Sequence, residues 1–187
     1  MELFWDRGYD GTSMADLADA TGMAKPGLYA TFGDKEHIFQ QALCRYDEVM
    51  ARPMIEELLS SSAPLRASLR ASLSGILHSI KGSGLPMGCF ILNSTFECSN
   101  DEPAIKQHLV ELNLQRRNAF RQRLLRGRDE GELPGTADID ALANYFAGQS
   151  AAIGVMARAG LPLDELEAMV DVALNVLPEA ETPSAPR

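Results

Sequence analysis

Leu65, Leu69, Leu73, Leu77 and Ile80 recur at intervals of four, four, four and three residues. That spacing draws one apolar stripe along one face of a helix. A strand cannot use it, because successive strand side chains alternate between faces. The same period returns in Leu109, Leu112, Phe120 and Leu124, with Arg116 on the same line, and again in Leu163, Leu166, Met169, Val170, Leu174 and Leu177. Residues 138–159 are small and apolar almost all round, from Ala141 through Tyr145, Phe146, Ala151, Ile153 and Val155. A helix of that kind is buried on more than one side. Helices are therefore expected over 62–81, 103–128, 138–159 and 163–177. No alternating run of five or more residues reads as a strand, so the expected fold class is all-α. Gly and Pro clusters at 82–86, 131–135 and 160–162 separate the helices.

Composition excludes several function classes. Hydrophobic residues make up 45% of the 187 positions and charged residues 23%, as in a packed globular chain. No apolar run reaches the roughly 18–20 residues that span a bilayer, and no basic segment leading into an apolar one marks a secretory signal. Cys44, Cys89 and Cys98 are too few and too scattered for a disulfide framework. The expectation is a soluble cytoplasmic protein with no membrane partner. A net charge of −9 excludes a surface that coats nucleic acid as a whole, and leaves room for a small local footprint. There is no Gly-rich phosphate loop, nucleophile elbow or paired acid–base constellation, so neither an enzyme nor a cofactor is expected. His37, His78 and His108 have no ligand spacing with any cysteine and there is no C-x-x-C, so no metal is expected. The tail 178–187 holds three prolines and no core-forming residue, and is expected to be disordered.

The first 50 residues have a different pattern, with short helices and tight turns. In Asp16 to Phe32, Leu17 and Ala18 are followed by Thr21, Gly22 and Met23, and then by Leu28. This spacing fits two helices crossing steeply through a tight turn. Gly22 stands where the turn needs positive φ, and Pro26 falls in the first turn of the second helix, where its missing N–H is no loss. Leu28 and Phe32 anchor that helix on the core, leaving Lys25, Gly27, Tyr29 and Thr31 on its other face. No Asp or Glu occurs in the 14 positions between Asp19 and Asp34. In a chain this acidic, such a window holding a Lys and a Tyr suits a phosphate-facing surface; a helix pair used only for packing is the other reading. Asp34 reads as a helix cap. Lys35 in the next turn opposes the helix dipole, so it is either a tolerated solvated lysine or the partner of a phosphate at that helix start. Thr12-Ser13 reads first as an N-cap, with a hydroxyl that could also hold a phosphate.

Leu3 to Leu43 resembles the DNA-binding domain of the TetR/AcrR family of transcriptional regulators. The matching elements are Phe4, Gly8-Tyr9, Thr12-Ser13, Leu17-Ala18, Gly22, Gly27-Leu28-Tyr29, Phe32 and Lys35. The resemblance implies a helix-turn-helix unit over 1–46 whose recognition helix, Lys25 to Phe32, lies in the major groove of a palindromic DNA operator. Lys25, Pro26, Gly27 and Ala30 would face base edges. Thr12, Ser13, Tyr29 and Lys35 would touch phosphates. It further implies a homodimer, because two copies double the readout.

One departure from the family concerns the start of the chain. The family's first helix is longer and is preceded by a basic arm, whereas Met1 lies only seven residues before Gly8. The first 50 residues carry four Lys/Arg and nine Asp/Glu, a net of 4 − 9 = −5. Either the true start lies upstream of Met1, which is the expectation, or DNA binding is weak. With a short first helix, Leu28 and Phe32 are expected to lose packing partners.

Residues 47–177 would form a helical ligand-binding and dimerisation domain. The helices 138–159 and 163–177 are the expected dimer seam, because Ala141, Gly148, Ala151, Ala152 and Gly154 allow close approach; an intramolecular core is the alternative. A small-molecule effector site is expected from apolar walls with a few polar groups. Its candidates are Cys89, Asn93 and Phe96 in the apolar stretch 85–98, Arg116 and Phe120 on the next helix, and Tyr145 and Gln149 beyond. Each has a plainer reading: a core or capping amide for Asn93, core aromatics for Phe96, Phe120 and Tyr145, and a solvated basic face for Arg116. Cys89 comes directly after Gly88 at an expected helix start, where the dipole favours thiolate and sensing; a buried small hydrophobe is its alternative. The expected function is a ligand-responsive dimeric repressor. The alternative is a helical ligand-binding or interaction protein whose DNA binding has weakened.

Overall fold

A computed structural model describes residues 1–78, 84–86, 88–97 and 102–179. Among them there is no strand, and the helices run in the order α1 (Glu2–Arg7), α2 (Met14–Thr21), α3 (Lys25–Phe32), α4 (Lys35–Tyr46), a π-helical turn (Asp47–Ala51), α5 (Arg52–Ser60), α6 (Leu65–His78), α7 (Phe90–Glu97), α8 (Pro103–Asp129), α9 (Ile139–Arg158) and α10 (Leu163–Leu174). Ile80, Cys98 and residues 180–187 of the expected tail lie outside the described residues.

The first stripe does what its period requires. Leu65, Leu69, Leu73 and Leu77 are all buried, against Phe120, Phe146, Ile153 and Val170 from α8, α9 and α10. Each buried leucine is worth about 1.5–3 kcal/mol of transfer free energy, so the stripe alone holds α6 in the bundle. α10 ends at Leu174, three residues short of the expected end. Leu177 is buried all the same, in the turn beyond it.

A second core cluster joins the N-terminal helices to the rest. Phe4, Trp5, Leu17, Leu28, Phe39 and Leu43 pack in one cluster with Phe90 and Ile91 of α7 and Ile105, Leu109 and Leu112 of α8. Aromatic rings run through it edge to face: Phe4 on Phe39 at 5.0 Å, Phe39 on Phe90 at 5.5 Å, and Tyr46 on both Phe90 (5.8 Å) and Trp5 (5.0 Å). The expected loss of partners for Leu28 does not occur. Leu28 is buried in the cluster that Phe4 and Trp5 of α1 help to fill, and Phe32 is half-buried against it.

No linker separates the N-terminal helices from the bundle. α4 runs through the π-turn directly into α5. Asp47 is buried at this turn, and its carboxylate accepts from the Arg52 guanidinium at 2.6 Å. A π-turn inserts one residue into a helix and so rotates the facing of the residues after it; here Met50 and Ala51 are brought to the wall of an internal cavity.

Candidate nucleic-acid interface and internal cavity

The helix pair α2–α3 is set by local chemistry. Ser13 caps α2 in a reciprocal box: its hydroxyl accepts from the Asp16 N–H at 3.2 Å, and the Asp16 carboxylate accepts from the Ser13 N–H at 2.8 Å. Those bonds hold the Asp16 carboxyl below its usual range, the Ser13 side-chain bond contributing most. Gly22 ends α2 with φ of 68°, in the left-handed region. Ala24 is the extended N-cap of α3, and Pro26 sits in its first turn.

α3 buries Leu28 and turns Lys25, Pro26, Tyr29, Ala30 and Thr31 outward. Tyr29 is 52% exposed on this face, with its hydroxyl free to reach outward. Gly27 is half-buried, and a Cβ there would meet only the Met23 methyl, at 3.8 Å. Packing within the chain therefore does not require a glycine at this position. The helix presents a short, flat, acid-free face.

Two phosphate candidates have internal partners instead. Thr12 is fully buried, and its hydroxyl donates to the Gly8 carbonyl at 2.8 Å. It holds the α1–α2 turn together and has no side-chain atom to offer a phosphate, which corrects the expectation. The Ser13 hydroxyl is engaged with Asp16 and is the cap that its primary reading names. Lys35 does have the partner that its position against the helix dipole suggests, and that partner is an aromatic ring. Its Nζ stands 4.1 Å from the centre of the Tyr9 ring. Burial first, then the charges of Glu102, Glu36, Asp34 and Asp10, push the Tyr9 phenol up to about 12, so the ring is neutral beneath the cation. No spacing in the sequence linked Tyr9 to a residue 26 positions on.

The second site is a cavity of about 70 Å³ among α4, α5, α6, α7, α8 and α9. Met50, Met54, Leu58, Leu92 and Phe120 form apolar walls; Tyr46, Ser72, Cys89, Arg116 and Ser150 bring polar atoms to it. Cys89, Arg116 and Phe120 thus line one cavity. Cys89 is half-buried, immediately ahead of α7, and its carbonyl accepts from the Asn93 N–H at 2.9 Å. Burial, reinforced by the adjacent Cys89 thiol, pushes the Tyr46 phenol well above its ordinary value, so it remains a proton donor. Gly88 also lines the cavity, with φ of 84° and so little room that a Cβ would stand 3.1 Å from the Gly154 carbonyl oxygen. Asn93 is buried behind Gly88, and its Nδ2 has no hydrogen-bond partner among the described residues.

Three effector candidates lie elsewhere. Phe96 is 73% exposed, because α7 ends on the surface and turns this residue outward. Tyr145 and Gln149 line a separate open groove with Glu165, Met169 and Val172, on the α9–α10 surface. The buried residues of α9, Ile139, Leu142, Phe146, Ile153 and Ala157 among them, lie on one face, and Tyr145 and Gln149 fall to the side of it. Gly154, expected at the dimer seam, is buried within the chain against Leu92 and Cys89. Across α4 and α8 the fold also brings Cys44 Sγ to 3.9 Å from His108 Nε2, a pairing with no signal in the spacing.

Residues 1–42 match the family described as "Bacterial regulatory proteins, tetR family", and residues 66–172 match "Tetracyclin repressor-like, C-terminal domain". The chain belongs to the TetR family. It is a DNA-binding transcriptional regulator, not an enzyme. The HTH-type transcriptional repressor ComR of Escherichia coli is 30% identical, over 96% of this chain and 85% of that protein. The HTH-type transcriptional regulator YezE of Bacillus subtilis is 31% identical, over 95% and 91% respectively. The TetR family regulator CifR, solved as a cysteine mutant with 26-bp double-strand operator DNA, superposes with a TM-score of 0.88 at 28% identity, covering 95% of this chain and 92% of that one. TetR regulators bind operator DNA and act as dimers. Among the described residues no helix is long and apolar enough to cross a membrane.

Proposed function

We propose that this TetR regulator is a cytoplasmic homodimeric repressor, released from a palindromic operator when a small molecule occupies the cavity. Residues 1–46 form its DNA-binding unit and 47–177 its effector-binding and dimerising unit. The observation that carries the reading is the outward face of α3: Lys25, Pro26, Tyr29 and Ala30 are exposed on an acid-free helix whose other side is anchored by Leu28. Lys25, Pro26, Gly27 and Ala30 meet base edges, where Gly27 lets the backbone approach, and Tyr29 and Lys35 meet phosphates.

Pairing runs through α9 and α10. Val172 is 67% exposed, with Val155, Met156 and Val176 also open to solvent, and Ala141 and Gly148 on the surface of α9 permit close approach. Two such helix pairs make a four-helix bundle that spaces the two recognition helices. A ligand in the cavity changes DNA affinity only by binding one spacing better than the other. The cavity wall includes Tyr46 and Met50, on the continuous helix that runs back to α4, which gives a ligand a direct purchase on that spacing.

The test is selection of bound duplexes from a random pool. The expected result is enrichment of an inverted repeat whose half-sites lie about one helical turn apart. Recovery of no preferred sequence would favour a helical ligand-binding protein with little DNA affinity, the reading to which the net −5 of the first 50 residues lends support.

A further inference from the structure

Six arginines lie along α8, and five have carboxylate partners. Arg117 and Arg121 share Asp140 at 3.0 and 2.9 Å, Arg123 has Glu132 at 3.4 Å, Arg126 has Glu130 at 3.8 Å, and Arg128 has Asp129 at 3.9 Å. Among the described residues Arg116 has none. One of its terminal nitrogens donates to the neutral Asn113 side-chain oxygen at 2.5 Å, and its Nε–H is buried with no acceptor. This is the arginine that lines the cavity, and no described Asp or Glu lines it with Arg116.

A half-buried guanidinium whose Nε–H has no acceptor gains from an anion that supplies the missing counter-charge. The other walls hold no described carboxylate: Met50, Leu58 and Phe120 are apolar, and Ser72, Ser150 and Cys89 bring only hydroxyl and thiol groups. Tyr46 adds a second donor in the same cavity. Two donors, one of them charged, over an apolar floor suit an acceptor that is anionic and planar, because a guanidinium edge and a carboxylate match in geometry. The cavity of about 70 Å³ has room for roughly five water molecules, hence for a body of about half a dozen heavy atoms.

We infer that the cavity selects a small organic acid, its carboxylate held by Arg116 and the Tyr46 hydroxyl and its hydrocarbon part by the apolar walls. The inference rests on the proposed reading of the cavity as the effector site, and narrows it to one ligand class.

Isothermal titration of the full chain with butanoate and pentanoate, beside butanamide, pentanamide and inorganic phosphate, tests it. The acids should bind at least about tenfold tighter than their amides and than phosphate, since a charge-assisted pair is worth roughly that factor or more. Arg116→Gln should erase the preference for acid over amide, Arg116→Lys should keep part of it, and Tyr46→Phe should weaken acids more than amides. Equal binding of acids and amides would overturn the acid assignment while leaving a cavity that binds small molecules. Phosphate binding as tightly as the acids would overturn it in favour of a general anion site. Binding of no organic probe would overturn both the assignment and the reading beneath it. The comparison of acid with amide on the wild-type chain decides the matter even if Arg116→Gln fails to fold.

Discussion

The Arg158 guanidinium donates to the main-chain carbonyl of Asp6 at 3.0 Å, tying the last turn of α9 to the last turn of α1. A second arm of the same group reaches the Trp5 carbonyl at 3.3 Å. The stem of Arg158 in turn packs on the cavity rim, since a Cβ on Gly88 would stand 3.2 Å from Arg158 Cβ. Rim, bundle helix and DNA-binding unit are thus in mechanical contact. Arg158→Ala should free the end of α1. Two bonds from a charged donor, one of them exposed, are worth about 1–2 kcal/mol locally, so amide exchange over residues 2–9 should speed up about five- to thirtyfold while α8 and α10 stay as protected as before. Unchanged exchange over 2–9 would show that Arg158 does not hold α1.

Thr12 is a stability residue. Thr12→Val keeps the shape but leaves the buried Gly8 carbonyl without its donor, and should cost about 1–3 kcal/mol. Thr12→Ser keeps the hydroxyl and should lose less. Urea unfolding of the two variants checks the order, and a Val variant as stable as wild type would sink the assignment.

His37 titrates against Asp34. The exposed His37 ring donates from Nδ1 to the Asp34 carboxylate at 2.9 Å, and this bond raises its pKa above the ordinary 6.5. Because the folded value lies above the unfolded one, the pair's contribution is present in full below about pH 6.5 and fades as pH rises through the folded pKa. NMR titration of His37 should give a midpoint above 6.5 that Asp34→Asn moves down; an unmoved midpoint would contradict the pairing.

Much of the fold was legible in local sequence. Gly22, Pro26 and Leu28 act within a few residues of themselves, so turn chemistry and helix period alone set the bounds of α3. The four leucines of α6 were equally plain, because a regular stripe admits one buried face. Facing was illegible on α7: Leu92 and Phe96 fall four residues apart on one face, so nothing local distinguished Phe96, which is exposed, from Leu92, which is buried. The pairing of charges was illegible for another reason. Asp140 reaches α8 from α9, and Glu132 reaches it from the turn after α8. That Arg116 is the arginine of α8 left without a carboxylate among the described residues is a property of the folded bundle.

Val172 tests the pairing surface. Val172 is 67% exposed on the proposed seam, where a partner helix would cover it. Val172→Glu puts two like charges at a two-fold contact and should shift sedimentation from dimer to monomer by at least tenfold in dissociation constant, with the fold intact by circular dichroism. A variant that remains a dimer would move the seam elsewhere.

The central claim is that the face of α3 enters DNA once from each of two copies. Titration of the selected duplex across a range of salt, with wild type and Lys25→Ala, tests it most directly. A steep negative dependence of log affinity on log salt is expected for the wild type. For the variant, affinity for the selected duplex should fall by about 1–3 kcal/mol per lost base contact and the preference for that sequence should relax, since Lys25 meets base edges. A variant that binds with the same affinity and the same sequence preference as wild type would contradict it.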